Sequence, residues 1–309
     1  MNTVDWLLEG SPAIRCQAMR DLTDASPAVL ATERARVSRE GIGAEILVRQ
    51  EPDGSWRRAG NPVWLSTLFT LLLLRSTGID PRDPGVETAL ARPEASLRWN
   101  DGDTWDLRPA ALGGNPFFQG EVEPCINGGV LAFGSYFGHP NELLAQQFIR
   151  EQLADGGWNC EAPTSARASF HTTICVLEGL LEYERGVGSA PDITAVRRRG
   201  EEYLLQRRLF RRLSTGEIAD PAFLNFAFPP RYHYDVLRAL DYFQSTGASP
   251  DPRMEEAVSL VENKRQPDGR WLLDAAYDEA LVVGLDETPG EPSRWNTLRA
   301  LRVLRWYRQ

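Results

Sequence analysis

Cys125, His171 and His233 stand near the starts of three successive apolar segments, in "EPCINGG", "SFHTT" and "RYHYD". The chain holds only 3 histidines and 4 cysteines, so a thiol and two imidazoles at one level of a repeated pattern are informative. A thiolate with two imidazoles is a donor set that zinc favours. Three protein ligands with an open fourth position are the form of a catalytic rather than a structural site. Zn2+ is therefore the expected cofactor. Aligned without gaps, the same column also contains Trp64 and Trp295, whose indoles would line an apolar wall for a hydrophobic substrate. Asn127, Thr173 and Asp235 each lie two residues beyond a proposed ligand, where they would orient it or cap a helix. Asn127 and Thr173 are grouped with the tryptophans as substrate-binding. Asp235 and Tyr234 are candidate proton-handling groups, joined by Glu178, which shares the helix face of His171 at i+7. Cys175, at i+4 on that face, reads as packing. Cys160 follows a turn tryptophan and is an alternative ligand, whereas His139 in "FGHPNE" reads as a surface cap at a helix end.

The elements that must carry these residues are repeated. "RQEPDGSWR", "EQLADGGWNC" and "KRQPDGRWLL" share a Q-x-x-D-G-x-W pattern, shortened by one residue in the last, with tryptophans at 56, 158 and 271. A weaker cousin ends at Trp105, and "QRRLFRRLSTGE" from Gln206 occupies the place of another. Asp-Gly supplies a turn, and the indole can pack over it. Uniformly apolar helices follow the turns, beginning near "SPAIRC", "PVWLST", "EPCING", "SFHTTI", "RYHYDV" and "SRWNTL". Polar, amphipathic helices alternate with them over roughly 2–9, 27–50, 83–98, 141–153, 189–208 and 251–265. Apolar helices belong inside and amphipathic ones on a surface. The expected fold is therefore all-α, an (α/α)6 toroid of six inner and six outer helices forming a single domain over residues 1–309.

The Q-x-x-D-G-x-W segments resemble the QW motifs of the squalene and terpenoid cyclases and of the protein prenyltransferase β subunits, whose shared fold is an (α/α)6 toroid. The resemblance covers nearly the whole chain. Neither a D-x-D-D acid motif nor a D-D-x-x-D motif is present, so the usual residues of neither cyclase chemistry are in place. The prenyltransferase subunits hold zinc with the Asp and Cys of a D-x-C segment and the His of a later Y-H-T segment. Cys125 and His171 match that pattern, and Glu123 stands where the family has Asp, which the resemblance makes a further ligand.

The formal charge of −9 and the absence of a basic run argue against nucleic acid or an anionic membrane surface as partner. "RRLFRR" at Leu209 and its neighbours reads as a solvated helix end. The N-terminus lacks a signal-peptide pattern and no apolar run is long enough to span a bilayer, so a cytoplasmic location without integral membrane association is expected. Together these features point to a zinc-dependent enzyme acting on a small, largely apolar substrate, which the resemblance implies is of isoprenoid type. A toroid that binds a lipid or metabolite without turnover and a metal-free carbohydrate-active toroid are the alternatives.

Overall fold

The computed structural model describes residues 2–100 and 106–308, so the weak repeat at Trp105 lies outside the described residues. The described chain is mainly helical. In order the helices are α1 (Thr3–Leu8), α2 (Pro12–Leu22), α3 (Pro27–Arg34), α4 (Gly41–Val48), α5 (Val63–Ser76), α6 (Pro84–Ser96) and α7 (Pro124–Tyr136). They continue with α8 (Glu142–Glu151), α9 (Phe170–Val187), α10 (Pro191–Gln206), α11 (Val236–Ser245), α12 (Glu255–Asn263) and α13 (Arg294–Tyr307). Strands are limited to short pairings: Leu97–Trp99 lies between Leu107–Pro109 and Asn115–Pro116, and Trp271–Leu272 pairs with Pro292–Ser293.

Every expected helix is present, and local chemistry explains where each begins. Ser169, Asp235 and Ser293 cap α9, α11 and α13 by accepting backbone N–H bonds, while proline opens α2, α3, α6 and α7. One outer helix departs from expectation, because 27–50 is two helices, α3 and α4. Gly41, which opens α4, has φ 66°, and a Cβ on Gly43 would lie 2.3 Å from the Val37 carbonyl oxygen, so the chain turns where only glycine fits.

Two compact units divide the chain: Met1–Arg36 with Glu202–Asp278 and Leu285–Gln309, and Val37–Glu201 with Glu279–Gly284. In the first, α13 packs on α2, α11 and α12. The Arg302 guanidinium of α13 donates to Asp241 of α11 at 2.6 Å and to Gln17 of α2 at 3.2 Å. In the second, α7 crosses α9 in backbone contact, with α5 beside α7. A Cβ on Gly128 would fall 2.4 Å from the Cys175 carbonyl oxygen, and one on Gly179 would fall 2.5 Å from that of Gly128. Glycine at both positions is what lets the two backbones touch.

The three D-G-x-W segments adopt one hydrogen-bonded form. Each indole Nε1–H donates to a carbonyl ten residues back: Trp56 to Ile46 at 2.7 Å, Trp158 to Phe148 at 2.9 Å and Trp271 to Val261 at 2.7 Å. Each tryptophan N–H donates to a threonine hydroxyl on the following helix, Thr67, Thr173 or Thr297, at 3.0 to 3.1 Å. The same hydroxyls return a bond to the tryptophan carbonyls. The turn glycines, Gly54, Gly156 and Gly269, have φ of 84°, 95° and 85°. Gln50 and Gln152 also donate to the carbonyls of Gly54 and Gly156, and in the shortened third copy Arg265 makes that contact with Gly269.

A fourth clasp carries no tryptophan. The Asn127 side chain accepts from the Glu121 N–H and donates to the Glu121 carbonyl, both at 2.8 Å, after Gly120 at φ 72°. Asn127 and Thr173, expected beside a substrate, are therefore fully buried and spend their polar atoms on backbone clasps. The clasp threonines also set the helical register. Counting two residues back from Thr67, Thr173 and Thr297 gives Leu65, His171 and Trp295, so Trp64 stands one residue, or about 100° of helix, out of the expected column.

Candidate functional site

Glu123, Cys125 and Cys160 form a cluster in the second unit, their carboxylate oxygen and two sulfurs all lying within 4.8 Å of one another. Cys125 is in the first turn of α7, Glu123 is its N-cap residue, and Cys160 lies in the connection between α8 and α9. The Cys125 thiol points to Glu123 Oε2 at 3.6 Å, and the Cys160 sulfur is 3.4 Å from the Thr172 hydroxyl of α9. All three cluster residues are half-buried.

The electrostatics polarise the two thiols in opposite directions. Cys160 is lowered to about 7 by its interaction with the Cys125 side chain, against burial, with further help from the Thr172 hydroxyl and the Cys125 N–H. That N–H is one of the donors left without an intrahelical partner at a helix start, where negative charge is favoured. Cys125 is pushed up by its bond to Cys160, by burial, and by the nearby Cys175, Cys160 and Glu123. Glu121, two residues before Glu123, is raised to about 8, chiefly by burial and further by Glu123 and Cys160. Its carboxyl accepts the backbone N–H bonds of Val122 and Glu123.

The other expected residues fall as follows. His171 is the second residue of α9, half-buried and adjacent to Thr172, and among the described residues neither it nor His233 joins the cluster. His233 is not on a helix: α11 begins at Val236, capped by Asp235, so His233 lies in the preceding connection. The cause is the run "PPRYHY", where two prolines precede Arg231 at φ 50°, a backbone conformation outside the right-handed helix, so no helix starts before Asp235. In the first unit the His233 ring stacks on Tyr277 at 3.7 Å and on Tyr232 at 4.2 Å.

Asp235 is buried and caps α11, accepting from the Arg238 and Ala227 N–H groups at 2.7 and 3.3 Å. Burial raises its pKa, and Arg299 and the two N–H bonds moderate the shift. The Tyr234 hydroxyl donates to the Leu209 carbonyl, and burial raises it well above the usual phenol range. Both residues are thus committed to structure. Glu178 is half-buried within electrostatic reach of Arg75, whose guanidinium donates to Glu182 at 2.6 Å. Trp295 stacks on Phe228 at 4.2 Å, and Trp64 packs 6.5 Å from Trp99. His139 is a cap, its N–H donating to the Gly134 carbonyl at 2.7 Å, but its ring is stacked on Phe118 rather than free at the surface. In "RRLFRR", Arg211 donates to Glu256 at 2.7 Å.

Reasoning from sequence missed Glu121 and Thr172 and placed Cys160 behind the histidines. The alternation of "GEVEPC" was the available signal, since it puts two acids and a thiol in one tight segment ahead of a helix.

No protein-family model and no curated protein sequence matches the chain. Among solved structures it is similar to the type II terpene cyclase MstE from Scytonema, with 13% identity and a TM-score of 0.45, over 98% of this chain and 86% of that one. A variant of the same cyclase in complex with geranylgeranyl dihydroxybenzoate aligns at 17% identity and a TM-score of 0.44, over 95% of this chain and 85% of that one. Among the described residues, no helix is long and apolar enough to cross a membrane.

Proposed function

We propose that the chain is a zinc-dependent enzyme built as an α/α toroid of the cyclase and prenyltransferase kind, acting on a small, largely apolar, isoprenoid-type substrate. The observation that carries this reading is the Glu123, Cys125 and Cys160 cluster. Sulfur and oxygen bound to one tetrahedral zinc, at about 2.3 and 2.0 Å, stand about 3.5 Å apart. The Cys125 sulfur and Glu123 Oε2 are 3.6 Å apart. The two sulfurs and the carboxylate thus fit zinc as donors, and they replace the imidazoles in the expected set. Three donors leave a position open, which is the form a catalytic zinc takes. When bound, zinc supplies Lewis acidity toward an oxygen or sulfur of the substrate.

The chain's own groups then have definite parts. Thr172 and the Cys125 N–H hold negative charge on the Cys160 sulfur. Burial favours the protonated form of the Glu121 carboxyl, and this places it as the proton donor beside the cluster in the reading proposed. The repeated clasps support the toroid part of the reading, since one turn form recurs at Trp56, Trp158 and Trp271.

Elemental analysis of protein purified without chelator tests the reading. About one zinc per chain is expected, lost in Cys125→Ala, Cys160→Ala and Glu123→Ala and kept in His171→Ala and His233→Ala. Cobalt substitution should give a visible spectrum that shifts when a small thiol is added. Addition of an isoprenoid alcohol should change the tryptophan fluorescence. Wild-type protein free of zinc would end the metal reading, and a cobalt spectrum unmoved by every small ligand would leave a binding protein.

A further inference from the structure

We propose that Cys125 and Cys160 form a reversible intramolecular disulfide on exposure to a peroxide. The pairing stands on the placement of the two sulfurs, whereas its consequence, simultaneous loss of two metal donors, rests on the function proposed above.

The two sulfurs lie within 4.8 Å of each other although they come from different elements, 35 residues apart in sequence. A disulfide needs an S–S distance of about 2.05 Å, so the gap must close by less than about 3 Å. Cys125 is fixed in the first turn of α7, but Cys160 is carried on irregular chain between α8 and α9. Rotation of the Cys160 side chain with a small shift of that connection brings the sulfurs together. The other two cysteines are placed differently. Cys175 is buried on α9, and Cys16 belongs to α2 of the first unit, its thiol pointing to the Leu30 carbonyl. Cys125 and Cys160 are half-buried, which admits a molecule as small as hydrogen peroxide.

The groups around the pair fit an ordered reaction. The Cys160 sulfur lies on the irregular connection, 3.4 Å from the Thr172 hydroxyl, whereas Cys125 is held in α7, so Cys160 attacks the peroxide. An S–O bond forms, the O–O bond breaks, and the departing oxygen takes the Cys160 thiol proton and leaves as water, with Cys160 oxidised to a sulfenic acid. The Cys125 sulfur then attacks the Cys160 sulfur, its proton passing by way of Glu123 Oε2, 3.6 Å away, to the sulfenic hydroxyl, which leaves as a second water. Two thiols are oxidised and one peroxide is reduced to two waters.

The test treats the full-length protein, as purified and after chelation, with a small excess of hydrogen peroxide. Remaining thiols are then alkylated and the digest is read by mass spectrometry. The expected result is a peptide containing Cys125 cross-linked to one containing Cys160 in most chains, with Cys16 and Cys175 alkylated. Dithiothreitol should remove the link. In Cys125→Ser, Cys160 should instead appear as sulfenic or more oxidised acid. Sulfinic acid on Cys160 with Cys125 still free in the wild type, or cross-links to Cys16 or Cys175, would overturn the proposal. Where zinc is present, about one equivalent should be released for each disulfide formed. A disulfide in protein that never held zinc leaves this inference standing while the metal reading fails. Retained zinc with no disulfide in either preparation does the reverse.

Discussion

The Trp271 N–H donates to the Thr297 hydroxyl at 3.0 Å, and the hydroxyl turns its proton back toward the Trp271 carbonyl, closing a clasp between a turn and the helix after it. Both residues are fully buried. Replacing the threonine with valine keeps the shape but leaves a buried N–H and carbonyl without that partner, at a cost of about 1–3 kcal/mol. Thr67→Val, Thr173→Val and Thr297→Val should each lose about that much stability in urea unfolding, and the serine variants much less. A valine variant as stable as the wild type would mean that the hydroxyl is incidental.

Gly128 and Gly179 hold α7 against α9, and therefore set the height of Cys125 relative to Thr172. An added Cβ would meet backbone oxygen at 2.4 or 2.5 Å, which only separation of the helices relieves. Gly128→Ala and Gly179→Ala should each cost about 3 kcal/mol or more and weaken metal retention. Gly129→Ala is the comparison, because the nearest atoms to its Cβ would be side-chain ends, Leu72 at 3.3 Å and Leu68 at 3.9 Å. Thermal melts and zinc content of the three variants check this.

Cys160 should react with iodoacetamide in the metal-free protein along a curve with its midpoint at about pH 7, whereas Cys125 should stay slow through that range. Removing the Cys125 side chain in Cys125→Ala should move the Cys160 midpoint upward. Equal rates at the two sites across pH 6–9 would contradict the polarisation of the pair.

Burial raises Glu121 from an ordinary carboxyl value to about 8 in the folded chain. The folded state therefore binds this proton more tightly than the unfolded state. The resulting stabilisation is complete below the unfolded pKa and is lost as pH rises through about 8. The melting temperature of the metal-free protein should fall between pH 5 and pH 9, and Glu121→Gln should flatten that fall. An unchanged slope in the variant would show that other groups carry it.

Asp241 accepts from Arg302 and Arg299, an arrangement that keeps its carboxyl below the usual range although it is mostly buried. Asp241→Ala would take this carboxylate from the buried Arg299 and the mostly buried Arg302, and a loss of about 3 kcal/mol is expected in chemical unfolding. An additional Arg302→Met should recover part of it.

The helices and the turns between them were legible in the sequence because their causes are local. An apolar stretch opened by serine or proline is a helix wherever it lies, and Asp-Gly before tryptophan makes its turn from its own backbone. Thus α5, α7, α9 and α13 start within a residue or two of the expected positions. Where the chain departed, the cause was also local but subtler: Gly41 split an outer helix, and "PPRYHY" delayed α11 and left His233 off the helix. The site was legible only in part. Spacing along a repeat predicts which residues share a level, but a gapless alignment carries a one-residue error, as at Trp64, straight into the side-chain direction. Glu123 and Cys125 are two residues apart, so their association is fixed by the start of α7. Cys160 reaches them from 35 residues away only because Gly128 and Gly179 let α7 and α9 touch and bring Thr172 alongside. No local pattern encodes that approach, since it depends on the absence of two side chains on facing helices. The partner of Cys125 was therefore decided by tertiary packing.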